Sequence, residues 1–339
     1  MANFDVVGIG NALVDVVAHV NEDFLRDQQV VKGSMTLVDS ARADFLYGKM
    51  PPGVEVSGGS CANTMAGIAS LGGKGAYIGK VKDDYFGRIF RHDLQSLGME
   101  FSTRASADGP ATGRCLVLVT HDAQRTMCTD LGAANLLTVD DLNAAVLQTS
   151  KVTYLEGYLF DRPEAQRAFV RAAQYAHDSG HKVSISLSDP FCVDRHRTAF
   201  RDLVAAHIDI LFANEQEILA LYQVERFDDA LQKLLTLGHT EIACLTRGSK
   251  GSVIVSRGEV HVIDAEPLKT VIDTTGAGDM YAAGFLYGYT QGCDLGTCGR
   301  IASIAAAEAI SHNGARPQTS LADLVVEKIG PLSAKKRKA

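Results

Sequence analysis

Residues 273–279, with the sequence DTTGAGD, combine two glycines with two aspartates towards the end of the chain. The apolar residues that follow, from 280 to 289, recur with helical spacing, so this turn opens a predicted helix. The first amides of a helix lack partners inside it, and together with the helix dipole they attract an anion. Gly276 and Gly278 have no Cβ, which lets a ligand reach those amides. The turn therefore predicts an anion site.

Asp279 lies beside this predicted anion site, where its carboxylate should repel the anion. A chemical reason for its presence is base catalysis, in which it takes a proton from a hydroxyl as that hydroxyl attacks a phosphoryl group. The alternative is structural, with Thr275 capping the helix and Asp279 complementing its dipole. This stretch alone allows both interpretations.

Polar residues also follow the first predicted strand, residues 4–9. The sequence GIGN at its end looks like a dinucleotide-binding fingerprint, but Leu13 stands where the third glycine is required. The valines that follow favour extended chain over the required helix, which excludes a nicotinamide site. Asn11 and Asp15 remain candidate ligand contacts at the exit of a buried strand.

A second glycine turn precedes a predicted helix that ends near Leu71. Gly58 and Gly59 lie at its start, and Asn63 lies one turn further on. Glycines here either let a ligand approach the backbone closely or serve packing or a hinge. The sequence favours neither role over the other.

Two strand patterns divide the chain. Residues 112–120 and 125–131 are predicted to form a β-hairpin, and with 13–20 and 34–39 they would form a small separate sheet, a lid. From residue 150 onward, strand-like runs at 152–156, 183–187, 208–213 and 242–246 alternate with helical segments near 163–178, 195–206, 215–222 and 227–237. This alternation indicates a parallel sheet with helices on both faces. Ligands of such sheets bind beyond the carboxyl ends of the strands.

Polar residues follow the predicted strands at that edge. Asn214 and Glu217 are three residues apart at a helix start and could hold the water shell of Mg²⁺. Asn-x-x-Glu also fits a capping box, and by itself it favours that structural role. Thr246, Gly248 and Gly251 form either a phosphate-facing turn or an ordinary connection between strands. The Walker A sequence is absent, so nucleotide binding must use another scheme.

The composition limits the partners and the compartment. The chain has 339 residues, 46% of them hydrophobic, enough for one big domain with a small appendage. Its net charge of −7 argues against nucleic acid as a partner. The 7 scattered cysteines indicate reduced thiols in a cytoplasmic protein, not disulfides or a zinc site. No membrane span or signal peptide is expected.

In this order, the motifs resemble those of the ribokinase-like (PfkB) small-molecule kinases, from residue 4 to about residue 330. The match rests on Gly10 and Asn11 with Asp15, Gly58 and Gly59 with Asn63, Asn214 with Glu217, and residues 273–279, which are highly specific. Within the family, adenosine kinases are similar at residues 8–15 (GIGNALVD), 21–25 (NEDFL), 131–135 (LGAAN) and 187–191 (LSDPF).

The resemblance implies a ribokinase-like three-layer α/β/α domain with a mainly parallel central sheet, plus a small β-sheet lid. The large domain would comprise residues 1–12, 40–98 and 132–332, and the discontinuous lid residues 13–39 and 99–131. Residues 333–339 are a basic tail, expected to be solvated and disordered, with a localisation or anion-binding role as the alternative.

The resemblance also implies roles for single residues. Asp279 would be the base for the 5′-hydroxyl of a nucleoside, and Gly276, Ala277 and Gly278 the anion hole for the migrating phosphoryl group. Asp15 would hold the ribose 2′- and 3′-hydroxyls, because a carboxylate accepts from two donors at once. The other implied substrate contacts are Asn11, Gly58, Gly59 and Asn63, with Leu13, Cys115, Met127 and Leu131 as the apolar wall for the base.

Further implied contacts concern ATP and its ions. Arg125, on the lid hairpin, would meet the phosphates as the lid closes and excludes water. Asn214 and Glu217 would order Mg²⁺ and its waters, while Thr246, Gly248 and Gly251 would border ATP. Asp273 and Thr275 match positions that help bind a monovalent cation, often K⁺, in some members.

Two positions depart from this pattern. Residues 157–159 are Gly-Tyr-Leu where animal adenosine kinases have two phenylalanines after a glycine, and Asp189 replaces a small residue before Pro190. The wall around the base therefore differs, and one base hydrogen bond can change discrimination greatly.

The implied activity is phosphorylation of adenosine by ATP to give AMP and ADP in purine salvage. The alternatives are inosine, guanosine or a free sugar as the acceptor. A non-catalytic nucleotide sensor is disfavoured because Asp279 is present. The partners would be a small-molecule nucleoside and ATP, in a monomer or homodimer.

Overall fold

The computed structural model describes residues 3–122, 124–256 and 258–332, so the predicted basic tail at 333–339 lies outside the described residues. The strands are β1 (Phe4–Ile9), β2 (Leu13–His19), β3 (Met35–Leu37), β4 (Val54–Gly58), β5 (Gly75–Ile78), β6 (Thr112–Val119), β7 (Arg125–Gly132), β8 (Ser150–Glu156), β9 (Lys182–Ser186), β10 (Ile210–Asn214), β11 (Ile242–Thr246), β12 (Ser252–Ser256) and β13 (Glu259–Ile263). The helices are α1 (Glu22–Asp27), α2 (Ser40–Tyr47), α3 (Ser60–Ser70), α4 (Tyr85–Ser96), α5 (Ala144–Gln148), α6 (Pro163–Asp178), α7 (Pro190–His207), α8 (Glu215–Tyr222), α9 (Phe227–Leu237), α10 (Ala277–Thr290), α11 (Leu295–Ile310) and α12 (Leu321–Ile329).

Eight strands form the large sheet, in the order β13-β12-β11-β10-β9-β8-β1-β5. The six strands from β11 to β5 are parallel, and β12 and β13 add an antiparallel edge. The prediction of a mainly parallel sheet is confirmed. Because parallel strands end at one edge, the residues after β1, β8, β9, β10 and β11 come together there.

Helices cover both faces of this sheet. One core joins α3, α10 and α11 to side chains such as Tyr77, Tyr154 and Phe212, and the other joins α6 and α7 to side chains such as Ile9 and Ile185. The helices follow their apolar periodicity: Phe169, Ala172, Ala173 and Ala176 of α6 share one buried face. The architecture is a ribokinase-like three-layer α/β/α sandwich.

A second, five-stranded sheet has the order β3-β7-β6-β2-β4 and is called the small sheet below. It contains the predicted hairpin, β6 and β7, which pair antiparallel. Side chains alternate between its faces. Val14, Val16 and Leu116 share the core that contains residues of α2 and α4, so the opposite face of the small sheet is left for the cleft.

Several predicted boundaries are wrong in detail. The sequence did not predict β4, because it is short, follows two prolines and a glycine, and begins with the exposed Val54. Ser57 and Gly58 therefore end a strand, and the helix predicted to open there begins at Ser60. β4 falls within residues 40–98, and the division into a large domain and a lid stays a prediction.

The helix predicted over 195–206 begins earlier, at Pro190. Asp189 caps it, and proline suits the first turn, where its missing N–H costs nothing. His196 interrupts the helix with non-helical backbone angles. The predicted helix begins next to this interruption, so the prediction covered only the part of the helix that follows it. No helix among the described residues is long and apolar enough to cross a membrane.

Candidate active site

The carboxylate of Asp279 lies at the start of α10 and is held from α3, which packs against α10. Ser60 Oγ donates to Asp279 Oδ1 at 2.6 Å, and Asn63 Nδ2 donates to Asp279 Oδ2 at 3.1 Å. Burial raises the pKa of Asp279 to about 6, while these two hydrogen bonds oppose that shift. The carboxylate is therefore ionised at neutral pH, more basic than usual, and fixed in orientation.

The turn before α10 presents backbone donors beside this carboxylate. The first hydrogen bond of the helix runs from the amide of Met280 to the carbonyl of Gly276, so the amides of Gly278 and Asp279 have no partner inside the helix. Gly276 has a positive φ of 79°, and a Cβ there would lie 2.6 Å from the carbonyl oxygen of Ala315. Only glycine fits this position without strain. The geometry suits an anion at the helix N-terminus.

Thr275 does not cap α10. The N-cap is Gly276, and the Thr275 hydroxyl donates instead to Asp273 Oδ1 at 2.6 Å. The alternative in which Thr275 caps this helix is therefore wrong. Asp279 does lie in the first turn, where it complements the dipole, and that role is compatible with base chemistry.

Asp273, six residues before Asp279, has a contrasting environment. Its Oδ2 lies 3.0 Å from Nη1 of Arg125 on the small sheet and accepts from the amide of Gly314, also at 3.0 Å. Burial alone would raise the pKa of Asp273, but the hydrogen bonds from Thr275 and Gly314 and the charge of Arg125 outweigh it and lower the pKa. Arg125 and three hydrogen bonds already occupy this carboxylate. The K⁺ role of Asp273 and Thr275 stays a prediction.

The cleft-facing side of the small sheet brings together the residues predicted for it. Asp15 on β2 pairs in register with Cys115 on β6, which pairs with Thr129 on β7. Residues two apart along a strand share a face, so the following side chains lie on one side: Leu13, Asp15, Cys115, Arg125, Met127 and Leu131. Cys115 and Met127 also share an apolar cluster with Val17, Val117 and Val119. An apolar surface therefore adjoins a carboxylate.

Asp15 lies against the glycine turn that joins β4 to α3. A Cβ on Gly58 would lie 2.2 Å from Asp15 Oδ1, so only glycine allows this approach. Burial raises the pKa of Asp15 to about 6, with the charges of Arg316 and Arg125 opposing the shift and that of Asp279 adding to it. The charge of Asp279 therefore acts on Asp15, and the two predicted acids belong to one site.

Glu156 is a buried carboxylate that the sequence analysis did not single out. It ends β8, is 1% exposed, and accepts from Asn11 Nδ2 at 2.7 Å and from the amide of Cys61 at 2.9 Å. Burial raises its pKa to about 7, and these hydrogen bonds oppose the shift. A glutamate at the end of an otherwise apolar predicted strand was the available signal.

The bond to Glu156 decides how Asn11 faces the site. Its Nδ2 is engaged by Glu156, and its Oδ1 is buried with no hydrogen-bond partner among the described residues. A buried acceptor without a donor is costly, so the free oxygen fits a hydroxyl brought by a ligand.

Asn214 and Glu217 form the capping box that the sequence favoured. Their side chains and amides bond reciprocally, with Asn214 Nδ2 2.6 Å from Glu217 Oε1. Burial raises the pKa of Glu217 to about 7, and the nearby charge of Asp189 contributes in the same direction. A buried carboxylate whose pKa is raised further by a neighbouring negative charge suits a cation held through water. Among the described residues no cluster of three or more metal-ligating side chains exists.

The predicted ATP border lies at the same sheet edge. Thr246 ends β11, and the short 3₁₀ turn Gly248–Lys250 connects it towards β12 in the form of a hairpin. Arg247 stacks on the Phe227 ring at 4.0 Å and pairs with Glu215. Gly251 has a positive φ of 79°. The turn is ordinary in construction, and its contact with ATP stays a prediction.

Ser60 and Arg316 also belong to the site, although the sequence analysis assigned them no role. Ser60 reaches Asp279 across 219 residues of chain, and Arg316 donates to Ser57 Oγ at 2.8 Å and to Asn63 Oδ1 at 3.4 Å. Neither belongs to a recognisable motif, because the contacts depend on how α3, α10 and the loop after α11 pack. No local spacing in the sequence could have found them.

A carboxylate with a raised pKa and a fixed orientation, an anion-binding helix start and a strand arginine define one class of chemistry. A hydroxyl beside Asp279 could lose its proton there while a phosphoryl group lies against the amides of α10. Arg125 Nε is buried without a partner among the described residues, and such a donor fits a phosphate oxygen. The fold and site together define a small-molecule kinase.

Comparison with known proteins identifies the family. The sequence profile of the pfkB family of carbohydrate kinases matches residues 44–321, and the chain belongs to this family. It is therefore a kinase that uses ATP to phosphorylate a hydroxyl group.

Individual relatives differ in their named substrates. The structure of an adenosine kinase from Sinorhizobium meliloti superposes with a TM-score of 0.88 at 46% identity, covering 96% of this chain and 99% of that chain. A protein from Rhizobium etli CFN 42 described as a probable sugar kinase superposes with a TM-score of 0.89 at 45% identity, covering 97% and 99%. The adenosine kinase of Saccharomyces cerevisiae is 29% identical over 315 residues, covering 86% of this chain and 90% of the relative.

The titration of Asp279 predicts how turnover depends on pH. The proton acceptor must be ionised, and its pKa is raised to about 6, so kcat should fall about tenfold per pH unit below pH 6. A profile of kcat from pH 4.5 to pH 8 measures this, with the unfolding temperature followed in parallel. A kcat that stays flat down to pH 5 in the folded protein would contradict the assignment.

Arg125 gives a second prediction, because it lies beside the turn before α10 and its Nε has no partner among the described residues. Arg125→Ala should lower kcat by roughly 10²- to 10³-fold and change binding of the acceptor alone by much less. Arg26→Ala, on exposed α1, is the matched control and should leave both unchanged. Steady-state kinetics measures kcat, and calorimetry measures the affinity for the acceptor alone. Equal losses in kcat and in affinity would count against a phosphate role.

Proposed function

We propose that this kinase is an adenosine kinase, which phosphorylates the 5′-hydroxyl of adenosine with ATP to give AMP and ADP in purine salvage. The observation that carries the proposal is the pairing of Asp15 with an apolar surface on one face of the small sheet, opposite Asp279. A nucleoside has the matching parts: two vicinal hydroxyls, a flat and mainly apolar base, and a primary hydroxyl. A free sugar has no flat apolar part to contact Leu13, Cys115 and Met127.

In the proposed arrangement each part of the acceptor meets one group of side chains. Asp15 accepts from the 2′- and 3′-hydroxyls, with Gly58, Gly59 and Asn63 beside it and the free Oδ1 of Asn11 as a further acceptor. Leu13, Cys115, Met127 and Leu131 contact the base. The 5′-hydroxyl then reaches Asp279, which is fixed by Ser60 and Asn63.

The chemical step follows from this placement. Asp279 takes the proton of the 5′-hydroxyl as the 5′-oxygen forms a bond to the γ-phosphorus. The bond from that phosphorus to the β,γ-bridging oxygen breaks, which releases ADP. The amide of Gly278, in the turn formed with Gly276 and Ala277, stabilises the transferring group. Arg125 leaves Asp273 for the phosphates as the small sheet closes over the site and excludes water.

The cations fit the site in different degrees. Asn214 and Glu217 would hold the water shell of Mg²⁺, which neutralises charge on the phosphates when bound, and Thr246, Gly248 and Gly251 would border the nucleotide. A K⁺ ion at Asp273 and Thr275 fits only if Arg125 has moved away.

A second acceptor class is supported by two observations. A relative of nearly equal similarity is described as a probable sugar kinase, and Tyr158 stands where animal adenosine kinases have phenylalanine. Burial raises the pKa of Tyr158, so its hydroxyl stays a hydrogen-bond donor near the site. Inosine, guanosine or a free sugar is therefore the alternative acceptor.

Relative kcat/KM values separate these acceptors. We expect the order adenosine, then inosine and guanosine, then ribose, because only nucleosides bring a base to the apolar side chains and a mismatched base leaves a polar group unpaired. The measurement is ATP turnover with each of the four compounds at matched concentrations. A higher kcat/KM for ribose than for adenosine would overturn the proposed substrate and leave the kinase chemistry intact.

Asp279→Asn tests the base. It should keep nucleoside binding and lower kcat by roughly 10³- to 10⁴-fold, because the amide cannot accept the proton. Asp178→Asn, at the exposed end of α6, is the control and should leave kcat unchanged. Near-normal turnover in folded Asp279→Asn would refute the assignment.

A further inference from the structure

Arg316 lies in the loop between α11 and α12 and joins three parts of the site. Its Nη2 donates to Ser57 Oγ of β4 at 2.8 Å, and its Nε donates to Asn63 Oδ1 of α3 at 3.4 Å. The residue before it, Ala315, forms the surface against which Gly276 of the anion-binding turn packs. One side chain therefore contacts the small sheet and α3 from a loop that also supports the glycine turn.

The contact with Asn63 has a directional consequence. A guanidinium can only donate and an ionised carboxylate can only accept, whereas an amide has one side of each kind. Because Arg316 engages Asn63 Oδ1, the amide must present Nδ2 to Asp279, and it does so at 3.1 Å. Without Arg316 the amide could rotate by half a turn and direct its oxygen towards the carboxylate.

The charge of Arg316 acts on the other acid. Asp15 is faced by Arg316, Arg125 and Asp279, and the first two favour its ionised form. Arg316 itself is faced by Asp15, Asp93 and Tyr77, and burial lowers its pKa while these groups oppose the shift. Asp279, in contrast, is held by the neutral side chains of Ser60 and Asn63. The guanidinium thus supports ionisation of Asp15 without direct pairing to the proposed base.

We propose that Arg316 is a positioning residue for phosphoryl transfer, which orients Asp279 through the amide of Asn63. It contacts no reacting atom in this proposal. The inference rests on the proposed kinase site but not on which acceptor that site takes. The charge of Arg316 also favours the ionised form of Asp15, so two separable effects are expected, one on orientation and one on charge.

The test compares Arg316→Gln, which removes the charge and the forked donor, with Arg316→Lys, which keeps only the charge. The acceptor is whichever of the four compounds gives the highest wild-type kcat/KM. We expect Arg316→Gln to lower kcat roughly 10- to 100-fold, because small misplacements of a catalytic group are costly. The acid limb of its kcat/KM profile should also move to higher pH. Arg316→Lys should lower kcat but leave that limb in place.

A double-mutant cycle tests the route through Asn63. In an Asn63→Ala background, Arg316→Gln should lower kcat less than about threefold, because the amide it orients is gone. A loss of equal size in both backgrounds, or unchanged kcat and pH profiles in folded Arg316→Gln, would overturn the proposal. Arg201→Gln is the matched control, since that guanidinium donates to the carbonyl of Leu221 outside the site.

A measurement that does not depend on turnover separates this inference from the proposed function. Carbon-13 NMR titration of the aspartate carboxyls, with Asp15 assigned from Asp15→Asn, should show Asp15 titrating at higher pH in Arg316→Gln than in Arg316→Lys. Equal titration in the two variants would contradict the charge effect, even if wild type phosphorylated none of the four acceptors. Absence of wild-type turnover would count against the proposed function alone.

Discussion

The site depends on a carboxylate being buried beside an anion-binding helix start and held there by neutral donors. Asp279 meets this requirement through Ser60 and Asn63, so its pKa rises with burial and is not pulled down by a paired cation. Asp273, in the same turn, pairs with Arg125 and has a lowered pKa. The turn thus contains two aspartates whose pKa values are shifted in opposite directions, and only Asp279 is suited to be a base.

The fold produces this contrast by bringing together distant parts of the chain. The large parallel sheet gathers Asn11, Glu156 and Asn214 at the carboxyl ends of its strands, as parallel sheets generally do. The packing of α3 on α10 adds Ser60 and Asn63. The small sheet then supplies a carboxylate, an apolar surface and an arginine from a single face. Each layer contributes a part that the others lack.

Regular patterns in the sequence predicted most of the fold, and irregular ones were missed. Residues 4–9 and 242–246 were predicted as strands because buried parallel strands are continuous apolar runs, and both are confirmed. The short edge strand β4 carries little such signal and was missed. The motif residues Asp279 and Asp15 could be predicted because local spacing marks them. Ser60 and Arg316 could not, since their contacts are set by tertiary packing across many residues. Glu156 was marked only by its place at the end of a predicted strand.

The most direct test of the account is the crystal structure of the complex with adenosine and a non-hydrolysable ATP analogue. We expect a carboxylate oxygen of Asp279 within about 3.2 Å of the 5′-oxygen, in line with the γ-phosphorus, with Ser60 and Asn63 still bonded to that carboxylate. A bound acceptor whose phosphorylatable oxygen lies beyond reach of Asp279, with no water between them, would contradict it.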